Sequence, residues 1–62
     1  MKKYKLIARV RPKGKRWINR ETLVDTDRDL TDLDHQQRVQ FFMHNHLIAG
    51  GEVVGSMQIL DA

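Results

Sequence analysis

The side chains that could do chemistry in this 62-residue chain are few, and most of them exclude a reaction more readily than they suggest one. The run Asp25-Thr-Asp27-Arg-Asp29 has the alternating carboxylates that open a calcium loop. Such a loop then needs glycine at its sixth place and glutamate at its twelfth. Leu30 and Gln36 stand there instead. His44 and His46 are two apart and diverge by roughly 200° on a regular helix. His35 and His46 would share a helix face but lie about 16 Å apart along it. Neither pair can hold one ion within a single chain. Ser56 is the sole serine and lacks the strand-turn-helix glycine context of a nucleophile elbow. Gly50-Gly51 and Gly55 lack the lysine and the helix that make a phosphate loop. The sequence therefore reads as that of a non-enzyme, with no catalytic residue, no metal and no cofactor.

The remaining chemistry is charge. Nine of the eleven Lys and Arg residues fall within the first 20 positions: Lys2, Lys3, Lys5, Arg9, Arg11, Lys13, Lys15, Arg16 and Arg20. No acid is among them. Residues 21–34 then carry Glu21, Asp25, Asp27, Asp29, Asp32 and Asp34 against one base, Arg28. The overall balance is +3. A basic block of this kind fits a polyanionic partner, with guanidinium and ammonium groups on phosphates and Trp17 stacked on a base or a sugar. Two competing readings stand beside this one. The acidic segment could fold back and neutralise the basic one, and Trp17 could be a core anchor, as tryptophan usually is.

Positioning these charges requires strands. Tyr4, Leu6, Ala8 and Val10 alternate with Lys3, Lys5, Arg9 and Arg11, with Ile7 as the exception, which is the period of a strand with one buried face. Pro12-Lys13-Gly14-Lys15 is a turn signal, because proline fixes φ and glycine tolerates positive φ. Residues 16–24 continue as a second strand, so a basic β-hairpin spans about 3–24, with Arg11, Lys13, Lys15 and Arg16 at its tip. An acidic loop follows over 25–34. Asp34 with Gln37 forms a capping box that starts a helix over about 34–49; Thr31 with Asp34 is an earlier alternative start. Gly50-Gly51 is expected to end the helix. A third strand is expected over 52–60, with Val53, Met57 and Ile59 on one face and Gly55 marking a bulge or a close approach.

A right-handed crossover from the second strand to the third passes over the first. The expected fold is thus a single α+β domain over residues 1–62, ββαβ, with a three-stranded antiparallel sheet in order 2-1-3 and one helix on one face. On the helix, Val39, Phe42, Met43 and His46 form a stripe, with Leu47 beside it; Phe41 and Ile48 extend the apolar arc. That arc is broader than one small sheet needs, so Phe41 and Ile48 are expected to face a partner, most simply a second copy in a homodimer. Absence of cysteine removes disulfides and cysteine-zinc sites, and no run reaches the roughly 18 apolar residues of a membrane span. A cytoplasmic protein, with no membrane partner, is the expectation.

The run Arg9-Val-Arg-Pro-Lys-Gly-Lys-Arg-Trp17 resembles the Lys/Arg-rich first hairpin of the small three-stranded DNA-binding domains at the front of tyrosine recombinases, over Tyr4 to about Phe42. In that family the third strand precedes the helix, whereas here a strand follows it. The functional expectation is a small nucleic-acid-binding accessory or regulatory protein using Lys5, Arg9, Arg11, Lys13, Lys15, Arg16, Trp17 and Arg20. The alternative is a protein-interaction module, a phage-like inhibitor or adaptor that binds a larger enzyme through the acidic loop or the helix face.

Overall fold

A computed structural model describes all 62 residues. Strand β1 (Lys2–Arg11) and strand β2 (Ile18–Thr26) form a hairpin; a single 3-10 turn (Leu30–Asp32) leads to helix α1 (His35–His44), and strand β3 (Val53–Asp61) closes the chain. The sheet order is β2-β1-β3 with both pairings antiparallel, the ββαβ architecture expected from the handedness of the crossover.

The alternation in β1 does what its period dictates. Tyr4, Leu6, Ala8 and Val10 are buried, and they meet Phe42 of α1, Leu30 and Leu33 of the connecting segment, and Leu47 and Ile48 after the helix. This core contains nine side chains and lies wholly on one side of the sheet. Val24, Val54, Met57 and Ile59 close it at the flanks. Phe42 is the largest of its fully buried side chains. Burying such a side chain is worth about 1.5–3 kcal/mol.

Helix α1 begins as expected. The Gln37 N–H donates to Asp34 Oδ1 at 2.8 Å, and the Asp34 N–H donates to Gln37 Oε1 at 3.1 Å. Its end departs from expectation. The helix stops at His44, not at Ala49, and Asn45 is its C-cap. His46 takes the left-handed conformation at φ 63°. Its N–H donates to Met43 O at 3.1 Å and the Leu47 N–H donates to Phe42 O at 2.9 Å, the paired bonds of a Schellman turn. The turn brings Leu47 back onto Phe42, so residues that continue an apolar helical pattern in sequence are core residues outside the helix.

This corrects the expected interface. Ile48 is buried in the chain's own core and is not free to face a partner, while Phe41 packs against that core and is partly exposed. Gly50-Gly51 does not cap the helix. It belongs to the turn into β3, where Gly51 has φ 85°.

Strand β3 contains the expected bulge. Arg9 pairs with Ser56 while Val10 pairs with Val54, so Gly55 is the extra residue. The bulge reverses the phase of the strand. Val54, Met57 and Ile59 turn to the core, and Val53 is left on the open side, opposite to the face expected for it.

Candidate nucleic-acid interface

The face of the sheet away from α1 is uncovered. Down its centre run Lys3, Lys5, Ile7, Arg9 and Arg11 of β1. Beside them on β2 lie Asp25, Leu23, Glu21 and Asn19, paired with residues 3, 5, 7 and 9 in that order. The register alone divides this face in two. Near the start of β1 two lysines have an acid within reach: Lys5 Nζ is 2.9 Å from Glu21, and Lys2 Nζ is 3.8 Å from Asp29. Asp61 pairs with Tyr4 at the same end. Towards the hairpin tip the one acid is Glu52, and Arg20 holds both of its carboxylate oxygens. Arg9, Arg11, Lys13, Lys15 and Arg16 form no ion pair.

The expected neutralisation of the basic block is therefore partial and local. The acids of residues 25–34 begin at the far end of β1, about 30 Å from Arg11 at the usual rise per strand residue. They reach Lys2 and leave the tip untouched. The molecule is 38 Å long, and five of its eleven Lys and Arg residues, Arg9, Arg11, Lys13, Lys15 and Arg16, lie at the hairpin-tip end.

The tip is built by a tight turn. The Lys15 N–H donates to Pro12 O at 3.0 Å, and Gly14 sits at φ 73°, a type II geometry that L side chains disfavour. Arg11, Lys13 and Lys15 line an open cleft of about 330 Å³ with Pro12, Gly14, Gly51 and Val53. Gly51 and Val53 place the start of β3 in this cleft.

Trp17 is not a core residue. It is 40% exposed and lies on the open side. The guanidinium carbons of Arg9 and Arg11 each sit 5.6 Å from its ring centroid, within cation-π range. Its ring reaches across β1 to the bulge of β3. A Cβ on Gly55 would stand 2.8 Å from Trp17 Cζ3 and 3.2 Å from Cη2. Glycine at position 55 is thus what lets the ring come so close to β3. The indole holds two arginines that would otherwise sample many rotamers. Sequence alone gives Trp17 as a base-stacking group or a core anchor; the structure makes it a support for Arg9 and Arg11.

Arg20 does not belong to this site. It points to the helix side, where its Nη1 and Nη2 donate to Glu52 Oε1 and Oε2 at 2.6 and 2.8 Å, and Nη1 also donates to Leu47 O at 3.2 Å. The Glu52 side chain is 8% exposed and also accepts the Ala49 N–H at 2.8 Å. The Arg20 hydrogen bonds, then the Ala49 N–H, hold the Glu52 carboxyl below its ordinary pKa, against the opposing effect of burial. This bidentate pair ties the loop before β3 to β2 and is structural. Its missed signal was Glu52, an isolated acid 32 residues away.

No three His, Asp or Glu side chains gather as a metal site. No helix is long and apolar enough to cross a membrane. No family model, no curated protein and no solved structure matches this chain.

Proposed function

We propose that this protein binds nucleic acid through the end of its sheet that carries Arg9, Arg11, Lys13, Lys15 and Arg16. One observation carries the reading: these five cations lie together at one end of the sheet and form no ion pair, while Lys5 on the same face and Lys2 at the far end each have an acidic partner. Each cation that is free of an acidic partner can neutralise a phosphate and release the counterion condensed there, which supplies the free energy. Arg9 and Arg11 are held by Trp17, which lowers the entropic cost of presenting them to phosphates or base edges. Lys13 and Lys15 lie on the turn that ends the sheet, where they are open to the phosphates of a groove or a single strand.

The test is a fluorescence-anisotropy titration at low salt with labelled single-stranded and duplex DNA and RNA. Saturable binding to at least one is expected, and joint replacement of Arg11, Lys13 and Lys15 by glutamine should abolish it. No affinity for any of the four overturns the proposal.

A second reading has its own observation. Asp25, Asp27 and Asp32, near the opposite end, are exposed and form no ion pair. That surface suits the basic face of a larger protein, as an adaptor or inhibitor would use it. Capture of one stoichiometric protein, unaffected by nuclease and lost on replacing these acids, would favour it.

A further inference from the structure

We propose that the outer edge of β3 pairs antiparallel with β3 of a second copy about a two-fold axis, joining two sheets into one of six strands. This inference is independent of nucleic-acid binding. The two edges of the sheet differ. The β2 edge carries Arg20, Glu21 and Asp25, charges of the kind that blunt an edge against pairing. The stretch of β3 from Val53 to Leu60 carries no charge and no proline. It is a long, neutral edge with open main-chain groups.

The pairing register follows from the hydrogen bonds already made. The Ala62 N–H donates inward to Lys3 O at 3.0 Å. Alternation then points the main-chain groups of Ser56, Gln58 and Leu60 towards β1, and those of Met57, Ile59 and Asp61 outwards. The bulge at Gly55 leaves Ser56–Asp61 as the regular part of the strand. A two-fold through Gln58 uses this regular part: Met57 meets the partner's Ile59 in a hydrogen-bonded pair, and both face the helix side. On the open side, Leu60, which is 46% exposed, lies over the partner's Ser56.

A second copy is the occupant because of charge. β3 runs from the hairpin tip, where Val53 pairs with Arg11, to the acidic end, where Asp61 pairs with Tyr4. Antiparallel pairing of two such strands sets the acidic end of each copy alongside the basic tip of the other. A parallel arrangement would set like against like. The two open faces then lie on one side of the joined sheet.

Sedimentation equilibrium from micromolar to millimolar protein tests this. The mass should rise from 7.3 kDa towards twice that value and no further. Ser56→Lys with Leu60→Lys places like charges opposite each other twice across the axis, and the pair should stay monomeric. Ser56→Lys with Leu60→Glu places opposite charges there and should restore the dimer. Both residues are exposed, and circular dichroism checks that both variants fold. If either does not fold, amide exchange of the unmodified protein decides: the Met57 and Ile59 amides should become protected as concentration rises. A monomer at every concentration overturns the proposal, as do double variants that associate equally or exchange at those amides that is independent of concentration.

Discussion

Neutralising cations at the hairpin tip should change the salt dependence of binding in a countable way. Five unpaired cations, all engaged, would displace five phosphate counterions, giving a slope of log K against log salt of about −4.5 on duplex DNA and about −3.5 on a single strand. Between 50 and 200 mM salt the duplex affinity then falls by roughly 500-fold. Lys13→Gln with Lys15→Gln removes two contacts, so the slope should relax to about −2.7 and the loss over the same interval to about 40-fold. Lys2→Gln is the matched control. Lys2 already pairs with Asp29 at the far end of the sheet, so its removal should leave the slope unchanged. Anisotropy titrations at four or more salt concentrations measure all three slopes. If Lys2→Gln lowers the slope as much as the tip substitutions do, the polarity of the face is not what binds. A slope near zero for the unaltered protein would refute the counterion argument outright.

Other substitutions test the supports of this site. Gly55→Ala drives a methyl group into the Trp17 ring, an exposed side chain that can swing away, so the fold should survive. Losing the cation-π contacts should weaken nucleic-acid binding about two- to fivefold, equivalent to about 0.5–1 kcal/mol, with an unchanged salt slope and altered tryptophan fluorescence; unchanged fluorescence would place the ring elsewhere. His46→Gly relieves the left-handed strain of an exposed residue that makes no side-chain hydrogen bond, and should stabilise the protein by about 0.5–1 kcal/mol, raising Tm by a few degrees in a thermal melt. Glu52 and Asp29 both have lowered pKa values, Glu52 chiefly through Arg20 and Asp29 chiefly through the Thr31 hydroxyl and N–H. Below the ordinary carboxylate range of about 4 the unfolded chain binds more protons than the folded one, so stability should be complete above that pH and fall as acid titrates the folded groups. Melts of Glu52→Gln should show a lower Tm at neutral pH and a shallower acid dependence; an unchanged acid dependence would remove Glu52 from the account. Phe42→Ala should cost about 3–5 kcal/mol, comparable with all the stability a single core of this size supplies, and leave the chain unfolded by circular dichroism.

How much was legible follows from the range of each signal. The β1 pattern has period two over nine residues, 3–11, and specifies its buried face locally. The position of β1 at the centre follows from the handedness of one crossover. The capping box joins Asp34 and Gln37, three positions apart, and is legible at that range. The helix end was not, because Leu47 and Ile48 continue the apolar spacing, and the chirality of the backbone at His46 has no counterpart in hydrophobic periodicity. The phase of β3 was misread for a similar reason: Gly55 announced a bulge, but a bulge shifts every residue on one side of it, and Val53 and Val54 are equally apolar. Among the site residues, the five tip cations are adjacent in sequence and were found together. Arg20 looked the same as its neighbours until Glu52 claimed it. Trp17 was ambiguous because its partners are decided by a glycine 38 positions later.

The position of β1 has a consequence for how the sheet is assembled. The central strand is the first one made, and its second neighbour is the last. Tyr4 waits for Asp61, a separation of 57 residues, before that side of the strand is satisfied. Until then the chain has only a two-stranded hairpin with a bare apolar face, a structure with little stability of its own. Contacts this distant in sequence make folding slow for the size of the domain. The hairpin that carries the basic tip therefore becomes rigid only when β3 docks, and ordering of the tip and completion of the sheet are one event.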